Sequence, residues 1–522
     1  MRTPIAIVGQ SCLLPGASTP AELAALLEAG RVVVGPSPAG RFRLGRTHAM
    51  TDDPTHSSDR AWSDLGGYVD PSFVLDPRGL ALPESELAGL DLLFHWVLHC
   101  GREAAACARI DPRRTGAIFG NLSFPTGKMA ERAESVWFAG TPFARPPVDP
   151  RNRFMSGLPA HLLARALGLG GEVFTLDAAC ASSLYAIALA CEALESGRSD
   201  AMLAGAVCRA DDLFIHVGFC ALGAMSRSGA SRPFHAEADG LVPAEGAALF
   251  LLKRLDDAER DGDRVLGVIR AVGLANDGRG RGLVAPSSEG QIRAMRAAYA
   301  AAGLSPRDVA YVECHATGTQ VGDAAEIASL EEVFGAGPTL PIGSLKANMG
   351  HPLSVAGAAG LMKLLHSLER GVFLPTPGGG PENRALGNGH FRVVRGVEPW
   401  VGPRRAALSA FGFGGNDAHL IVEAPGLTKA RTVEHAARSV TALRPRVAVV
   451  ALAARVGDGA STEAFQRTIV EGTPCSPRAT RVEVPLEGLR TPPRDLEVAL
   501  AQQTMLLTVA SEVARATRLE GP

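Results

Sequence analysis

The sequence predicts an α/β layered fold, and three observations support this prediction. Short β-branched or apolar runs, typical of strands, alternate with longer runs that have helical periodicity. The alternation runs through two series, one before and one after about residue 260. At 522 residues the chain is also too long for one simple core, because single domains usually hold about 100–200 residues.

The first series begins with a buried strand at Ile5–Gly9 ("IAIVG") and a helix over Pro20–Gly30. Residues 31–80 are rich in Gly, Pro, Asp and Ser, which predicts an irregular excursion. Ser85–Ala108 has an apolar face at helical spacing and predicts one long helix. Four further strands are predicted at Thr115–Phe119, Phe174–Leu176, Ala201–Cys208 and Gly246–Leu252.

The second series repeats the alternation with a different set of segments. Its strands are predicted at Leu266–Gly273, Val309–Glu313, Pro341–Ser344, Ala407–Ser409 and Leu420–Glu423. Helices are predicted between them over Gly290–Ala302 and Ala356–Glu369. We therefore divide this part of the chain into residues 1–262 and 263–425.

The remaining segment starts with a linker at 426–445 that lacks apolar periodicity. After it the chain begins again: "VAVV" at Val447–Val450 mirrors "IAIV" at Ile5, and "STEAF" at Ser461 mirrors "STPAEL" at Ser18. "PPRDLEVAL" near Leu496 mirrors "LPESELAGL" near Leu87. We interpret residues 446–522 as the truncated start of a second, related domain; an unrelated tail is the alternative.

Composition excludes several classes of protein. The net charge of −2 gives no reason for attraction to nucleic acid or to a membrane surface. The N-terminus lacks the layout of a signal peptide, and no apolar run approaches the roughly 20 residues of a transmembrane helix. Nine cysteines without CxxC pairs indicate reduced thiols. We expect a soluble, cytoplasmic protein.

Cys180 is the first residue that suggests chemistry. It lies in "LDAACASSLYAIALACEAL", after a short strand and at the start of an alanine-rich helix. The positive end of a helix stabilises a thiolate, and the small neighbours let a substrate approach. A single free cysteine is more often a core residue, so Cys180 alone does not establish a catalytic site.

Two histidines strengthen the case. His315 follows a predicted strand in "YVECHATGTQVGD", and His351 lies between a strand and a helix in "GSLKANMGHPLS". Lys346, one of only five lysines, precedes His351 by five residues. One cysteine and two histidines in strand-end loops fit covalent acyl chemistry, with a nucleophile and donors for a developing oxyanion or enolate.

A glycine-rich segment completes the set of candidates. "LSAFGFGGNDAHLIVEAP" places glycines around Phe411 and Phe413 between two strands. Such a loop can bring a backbone N–H close to a substrate carbonyl, although an ordinary glycine-rich hairpin is the alternative. The histidines and cysteines lack metal-ligand spacing, and the glycines do not open a helix, so neither a metal site nor a nucleotide site is expected.

Together these segments resemble the β-ketoacyl synthases, the condensing enzymes of fatty-acid and polyketide assembly. Five motifs match in family order over about residues 1–425: "DAACASS", "RPFHAEADGLVPAEGAALFLLKRLDDA", "ECHATGTQVGD", "SLKANMGH" and "SAFGFGGNDAH". The resemblance implies a thiolase-like fold, with five αβαβα layers built from a duplicated βαβαβαββ unit. It also implies an acyltransferase that joins a Cys-bound acyl group to a malonyl unit by decarboxylative Claisen condensation.

The resemblance assigns roles to residues of this chain. Cys180 would be the nucleophile, and His315 and His351 would assist decarboxylation and bind the enolate oxygen. Lys346 and Glu326 would be a supporting charged pair. The remaining roles are an oxyanion hole from the N–H groups of Cys180 and Phe413, an acyl-pocket gate at Phe413, and pantetheine contacts at Thr317 and Thr319.

The resemblance also implies partners. The protein itself would hold no cofactor, because the substrate arrives on the phosphopantetheine of an acyl carrier protein. A homodimer, or a pairing with a chain-length-factor-like domain, and other synthase domains are expected. "GGNDAH" replaces the commoner "GGTNAH", which puts the hydrogen bonds of Asn416 and Asp417 in doubt. This variant and the repeat after residue 445 resemble polyunsaturated-fatty-acid and glycolipid-type synthases most.

Two other functions remain open at this stage. A chain-length-factor-like partner that only shapes the pocket would typically lack the cysteine. A thiol acyltransferase or hydrolase would use Cys180 with one histidine, and it would leave the second histidine and Lys346 without a role. A carboxylate that orients a single histidine would favour the hydrolase, and the sequence identifies none.

Overall fold

The strands of the two predicted series join one mixed sheet. In chain order the strands are β1 (Ile5–Leu13), β2 (Gly35–Pro36), β3 (Leu65–Gly66), β4 (Thr115–Asn121), β5 (Val173–Leu176), β6 (Ala201–Cys208), β7 (Gly246–Arg254), β8 (Gly267–Asn276), β9 (Tyr311–Glu313), β10 (Leu340–Gly343), β11 (Val372–Phe373), β12 (Phe391–Val393), β13 (Glu398–Pro399), β14 (Arg405–Gly412) and β15 (Asn416–Glu423). Within the described residues, the large sheet has the order β12-β10-β9-β14-β15-β8-β1-β7-β6-β4-β5.

This structure is a computed structural model, and it describes residues 3–53, 59–278, 285–335, 337–428, 447–457, 461–473, 484, 496–497 and 499–517. The chain divides into two units, at residues 1–432 and 433–522, and each is described by itself. The large sheet belongs to the first unit.

The two halves of the sheet repeat one pairing pattern. In the first half β1 is antiparallel to β7, β7 is antiparallel to β6, and β6, β4 and β5 are parallel. In the second half β8 is antiparallel to β15, β15 is antiparallel to β14, and β14, β9 and β10 are parallel. Strands β1 and β8 pair antiparallel and join the halves. The repeat confirms the duplicated unit.

Helices fill three layers around the two half-sheets. The helices of the first unit are α1 (Pro20–Glu28), α2 (Arg46–Ala49), α3 (Glu84–Leu87), α4 (Leu92–Ala105), α5 (Gly127–Trp137), α6 (Leu158–Leu167), α7 (Ser182–Glu195), α8 (Asp212–Ala221), α9 (Leu255–Asp261), α10 (Ser288–Ala302), α11 (Gln320–Phe334), α12 (Lys346–Met349) and α13 (Ala356–Arg370). Helices α4 and α6 cover the first half-sheet, and α10 and α11 cover the second. Helices α7 and α13 contact each other and lie between the half-sheets.

Three apolar cores correspond to these layers. One core packs α4 and α6 on the first half-sheet, around Phe94 and Leu163. A second surrounds the central helices and includes Leu184 and Leu361. The third packs α10 and α11 on the second half-sheet, around Met295. The layers therefore follow the order αβαβα, and the thiolase-like fold class is confirmed.

One predicted element of the first unit is wrong. The single helix expected over Ser85–Ala108 is two helices, α3 and α4, separated by a short turn. Gly89 has φ of 78°, a left-handed conformation that a helix cannot continue through. Asp91 then caps α4, since its carboxylate accepts the N–H of Leu93. The apolar face continues across the break, which is why the pattern alone predicted one helix.

The second unit contains two described helices, α14 (Thr462–Glu471) and α15 (Ala501–Ala516). Helix α14 begins at a Ser461 cap and is followed by Gly472 at φ 65°. The segment Val447–Val450, whose sequence mirrors that of strand β1, is not a strand, and its three valines are at least 79% exposed. The linker beyond residue 428 and most of the "PPRDLEVAL" segment lie outside the described residues. None of the described helices combines the length and apolar character needed to cross a bilayer.

Candidate active site

Cys180 lies in a tight turn between the end of β5 and the start of α7. Ala179 has φ of 50°, a conformation that residues with a Cβ seldom adopt, and residues 179–181 form one 3-10 turn. The Ser182 hydroxyl holds this turn: it accepts the N–H of Ala178 at 2.9 Å and donates to the carbonyl of Ala179 at 2.6 Å. The strained turn places the Cys180 thiol in a cavity at the end of the strand.

The two predicted histidines meet the thiol in that cavity. His351 follows α12, and its Nε2 lies 3.1 Å from the Cys180 Sγ. His315 follows β9, and its ring centre lies 5.2 Å from that of His351. The donor atoms of the three residues all lie within 4.8 Å of one another. The structure therefore brings together three residues that are separated by 135 and 36 positions in the chain.

The glycine-rich segment forms the turn between β14 and β15. A Cβ built on Gly412 would lie 2.8 Å from the Ala178 carbonyl oxygen and 3.1 Å from the Cys180 nitrogen, so only glycine fits there. The backbone N–H groups of Phe413 and Cys180 both act to lower the pKa of the Cys180 thiol, which burial raises. The oxyanion hole predicted from these two N–H groups stays a prediction.

A cavity of about 470 Å³ lies in front of the thiol, and its wall includes the predicted pantetheine-binding and gate residues Thr317, Thr319 and Phe413. The Thr317 and Thr319 hydroxyls lie 3.3 Å apart on its wall. The Phe413 ring also lines it and lies 6.2 Å from the ring of Phe219. The wall is mostly apolar apart from a few polar groups, which suits an acyl chain on a polar carrier arm.

Lys346 and Glu326 support the His315 loop from two sides. The Glu326 carboxylate accepts the N–H groups of His315 and Ala316, at 2.8 and 2.7 Å. The Lys346 Nζ donates to the carbonyl of Cys314 at 3.3 Å. No direct Lys346–Glu326 ion pair occurs among the described contacts, so the two charges act on the loop between them.

Burial determines the protonation of the catalytic candidates. It raises the pKa of the Cys180 thiol to about 12, although the Lys346 charge and the Phe413 N–H act in the opposite direction. The start of a helix is expected to stabilise a thiolate, but the loss of hydration of the buried thiolate has the larger effect on the pKa. Burial, with the Lys346 charge, lowers the pKa of both His315 and His351 well below the usual value. Both imidazoles are therefore neutral near pH 7.

The supporting charges are shifted for the same reason. Burial raises the pKa of Glu326 to about 7, against the lowering effect of the two N–H groups it accepts. Burial also lowers the pKa of Lys346, against the attraction of Glu313 and Glu326. Shifts of this kind, caused by desolvation together with specific charge partners in a cleft, are typical of functional sites.

A second buried charge pair was missed by the sequence analysis. The Lys363 Nζ on α13 donates to Glu313 at 2.7 Å and to the Tyr311 hydroxyl at 3.0 Å, and the side chains of Lys363 and Glu313 are fully buried. The other Glu313 oxygen accepts the N–H of Leu345 at 2.6 Å, just before Lys346. The signal was available, because Lys363 is the one charged residue in the otherwise apolar stretch 356–365 of this helix.

The Cys180, His315 and His351 cluster also has the donor types of a metal site. Sequence spacing gave no indication of this, since the three residues meet only in the fold. The expected absence of a metal stays a prediction.

Comparison with known proteins identifies the family. Residues 2–258 match the family "Beta-ketoacyl synthase, N-terminal domain", and residues 266–379 match "Beta-ketoacyl synthase, C-terminal domain". The chain belongs to the β-ketoacyl synthase family. Enzymes of this family form β-ketoacyl products, and the Cys180, His315 and His351 cluster lies within the matched residues.

Curated relatives of this ketosynthase are large synthases. It is 35% identical to a mycocerosic acid synthase-like polyketide synthase of Mycolicibacterium smegmatis, over 83% of this chain and 20% of the relative. It is 32% identical to a polyunsaturated fatty acid synthase polypeptide of a Thraustochytrium species, over 97% of this chain and 26% of the relative. The chain thus spans about a fifth to a quarter of these relatives.

Solved structures agree with the fold and the family. The structure titled "PfaC Keto synthase-Chain length factor" matches with a TM-score of 0.81 and 31% identity, over 90% of this chain and 52% of that one. The oxazolomycin ketosynthase domain OzmH KS7 from Streptomyces albus matches with a TM-score of 0.70 and 32% identity, over 80% and 74%. The predicted family is therefore confirmed.

The hydrolase alternative lacks the feature that would favour it. Neither His315 nor His351 has a hydrogen-bond partner for its Nδ1 within the described part of the chain. No carboxylate there orients a single catalytic histidine, as a cysteine hydrolase of that type requires. The intact Cys180 argues equally against a purely non-catalytic partner.

Proposed function

We propose that this ketosynthase joins a Cys180-bound acyl group to a malonyl unit on an acyl carrier protein, by decarboxylative Claisen condensation. The observation that carries the proposal is the meeting of Cys180, His315 and His351 in one cavity, with 3.1 Å between the thiol and the His351 Nε2. The reaction has two halves, acylation of the cysteine and condensation with the malonyl unit. The first half needs a nucleophile and a proton acceptor, and the second needs hydrogen-bond donors for an enolate; one thiol and two neutral imidazoles supply these groups.

In the first half-reaction the Cys180 sulfur attacks the carbonyl of an acyl thioester. The thiol proton passes to the adjacent His351 Nε2, because the raised pKa of Cys180 keeps the resting group protonated. The N–H groups of Cys180 and Phe413 bind the oxyanion that forms. The C–S bond to the carrier then breaks, and the departing thiolate takes the proton from His351.

In the second half-reaction a malonyl thioester binds beside the acylated Cys180. The bond to its carboxyl carbon breaks, CO2 leaves, and the electron pair forms an enolate whose oxygen accepts hydrogen bonds from His315 and His351. Neutral imidazoles can donate to this oxygen without giving up a proton. The enolate carbon attacks the Cys180 thioester and the C–S bond to Cys180 breaks. The β-ketoacyl chain leaves on the carrier, and the Cys180 thiolate takes a proton from water.

The carrier and its phosphopantetheine arm belong to the same proposal. The protein itself needs no cofactor in this scheme, because the arm is part of the substrate. Thr317 and Thr319 line the cavity, and this position supports their proposed contacts with the arm. The eight described cysteines are free thiols, consistent with a reducing, cytoplasmic setting.

We further propose that residues 446–522 correspond to the beginning of a chain-length-factor-like domain. The similarity to the polyunsaturated fatty acid synthase extends over 97% of the chain, well beyond the ketosynthase motifs. Helix α14 also repeats α1: both begin at a Ser or Thr cap, and both are followed by a left-handed glycine. A homodimer, or pairing with such a domain, is supported by the edge position of β5, where Phe174 is 38% exposed.

Intact-protein mass spectrometry tests the condensing function. The wild type and Cys180→Ala are mixed with an acyl-carrier thioester and then with malonyl-carrier, and Cys107→Ala serves as a control because Cys107 is an exposed thiol. We expect an acyl adduct on the wild type and the control, none on Cys180→Ala, and release of a β-ketoacyl product when malonyl arrives. Decay of the adduct to free acid, unaffected by malonyl, would establish a hydrolase instead.

A further inference from the structure

The irregular excursion at residues 31–80 has no role in the proposed reaction, yet it places an arginine among buried groups of the first unit. The side chain of Arg41 is only 12% exposed. Charged side chains are rarely buried to this degree unless their charge is paired. The partners of Arg41 therefore show what the excursion holds in place.

The Arg41 guanidinium bridges two carboxylates. Its Nε and one Nη donate to Asp212 at 2.6 and 3.1 Å. Its two Nη atoms donate to Glu245 at 3.0 and 2.5 Å. The side chains of Asp212 and Glu245 are themselves 8% and 7% exposed. Because guanidinium is a rigid, planar fork of donors, these bonds fix the positions of the two acids relative to each other.

Asp212 is the first residue of α8, and the excursion contacts this end of the helix at further points. Arg43 donates twice to the capping residue Asp211, at 2.9 and 3.1 Å. One turn further along α8, the His216 Nε2 lies 3.2 Å from the Tyr68 hydroxyl oxygen. The excursion therefore holds both the start of α8 and one of its faces.

The other end of the same face forms part of the cavity wall. Asp212, His216 and Phe219 follow each other at intervals of four and three residues, so they lie on one face of α8. Phe219 lines the cavity together with Cys180, and its ring lies 6.2 Å from that of Phe413. The position of α8 therefore determines where this wall lies relative to the thiol.

Glu245 connects Arg41 to a different wall of the site. The segment just before Glu245 runs alongside His351, because the Val242 carbonyl accepts the His351 N–H at 2.7 Å. The Ala244 N–H then donates to the His351 carbonyl at 2.9 Å. The backbone of His351 is thus held by a segment that ends at a carboxylate bound to Arg41.

We propose that Arg41 is a positioning residue for the ketosynthase reaction. Through Asp212 it fixes the wall that α8 presents to the acyl chain, and through Glu245 it fixes the backbone segment that pairs with His351. The proposal rests on the proposed condensing function and adds to it a determinant of acyl-chain selectivity that does not itself line the cavity.

Two variants separate the two contacts, because each removes one carboxylate and leaves Arg41 paired with the other. Asp212→Asn loosens α8, and Glu245→Gln loosens the neighbouring backbone segment. Arg41→Lys keeps the charge but loses the fork, so it weakens both contacts. Asp257→Asn is the matched control, because Asp257 is 7% exposed, pairs with the buried Arg254, and does not line the cavity.

Chain-length selectivity is the readout for Asp212→Asn. Cys180 acylation is measured with saturated acyl-pantetheine thioesters of increasing length. We expect the ratio of kcat/KM between the preferred chain and the next longer one to fall by about tenfold, because a fixed apolar pocket discriminates single methylene groups by factors of this size. Glu245→Gln should keep the ratio of the wild type.

Release of CO2 from malonyl-carrier, which leaves acetyl-carrier, is the readout for Glu245→Gln. In the proposed reaction His351 donates to the enolate oxygen, and a displaced donor stabilises that oxygen less. We expect the rate to fall by about tenfold in Glu245→Gln, because small displacements of a catalytic group have effects of this order or larger. Asp212→Asn should change this rate little, and Arg41→Lys should change both readouts.

The proposal is overturned if either carboxylate variant leaves its own readout at the value of the wild type. It is also overturned if both variants change both readouts by equal factors, or if Asp257→Asn changes them as much, since these results would show a contribution to stability alone. If Arg41→Lys does not fold, the two carboxylate variants still decide. Failure of the condensing function is a separate outcome: the wild type would then release no CO2 from malonyl-carrier, while the acylation profile would still test the Asp212 contact.

Discussion

At the scale of single residues, the site combines groups whose protonation is set by burial. Cys180 is the clearest case: its position at a helix start favours a thiolate, yet desolvation prevails and the pKa rises to about 12. Lys346 is the largest opposing influence, because its buried charge stabilises the thiolate without contacting it. Reactivity of this cysteine should therefore depend on a lysine that does not line the cavity.

Replacement of Lys346 by methionine tests this dependence. We expect Lys346→Met to raise the pKa of Cys180 further, and so to slow its alkylation by iodoacetamide at every pH between about 7 and 10. In both proteins the rate should still be rising with pH at the upper limit. Lys128→Met is the matched control, since Lys128 lies on the surface. Equal alkylation rates in the Lys346 variant and the wild type would contradict the prediction.

At the scale of elements, the fold places two of the proposed catalytic groups at equivalent points of its two halves. Cys180 follows β5 and His351 comes after β10, and these two strands occupy the same place in the repeated pairing pattern. The glycine turn between β14 and β15 then approaches the Cys180 backbone closely enough to require glycine at position 412. Chemistry here depends on contacts between elements that are distant in sequence.

Substitution of Gly412 by alanine should damage this approach. The added Cβ would meet the Ala178 carbonyl and the Cys180 nitrogen, which moves the Phe413 N–H away from the oxyanion position. We expect Cys180 acylation to fall by about 100-fold, the usual loss for one oxyanion donor. Gly157→Ala is the control, because a Cβ there meets nothing within 4 Å. Similar acylation rates for both variants would refute the role of this turn.

The buried Lys363–Glu313 pair connects β9, α13 and the segment before Lys346. Lys363→Met leaves the Glu313 charge without its partner, so we expect the free energy of unfolding to fall by about 3–5 kcal/mol. Adding Glu313→Gln to that variant should restore part of the loss. Chemical denaturation of the wild type, both single variants and the double variant measures the coupling. Strictly additive effects would show that the pair is not coupled.

At the scale of the whole molecule, the cavity is lined by several acids whose pKa values are raised by burial. Burial raises the pKa of Glu326 to about 7, of Asp323 to about 6 and of Asp417 to about 8. A carboxyl group whose pKa is raised by folding favours the folded state while protonated. Its contribution is lost as the pH rises from the unfolded pKa, near 4, to the folded value.

Asp417→Asn should therefore stabilise the protein in a pH-dependent way. We expect the variant to have a higher free energy of unfolding than the wild type at about pH 8.5, by at least about 1 kcal/mol. The difference should nearly vanish at about pH 3, where Asp417 is protonated in the folded chain and largely so in the unfolded one. Urea denaturation at both pH values measures it. If the variant and the wild type differed equally in free energy of unfolding at the two pH values, the effect of the substitution would be unrelated to ionisation.

The sequence by itself determined the fold class and the family, and it predicted the cysteine and the two histidines that the structure brings together. Strand periodicity, the two series and five ordered motifs are local features, and local features can be identified in a chain without knowing its contacts. The break between α3 and α4 was missed because one apolar face continues through it, so the local pattern does not show where the first helix ends.

Only the tertiary structure decided how these residues act. The contact of Cys180 with His351, the Lys363–Glu313 pair and the close approach of Gly412 to Cys180 all join segments far apart in the chain. The tertiary structure also decided the protonation states. Burial raises the pKa of Cys180 more than the start of the helix lowers it, and burial keeps both histidines neutral. Desolvation depends on everything packed around a group, and sequence neighbours supply only a small part of that surrounding.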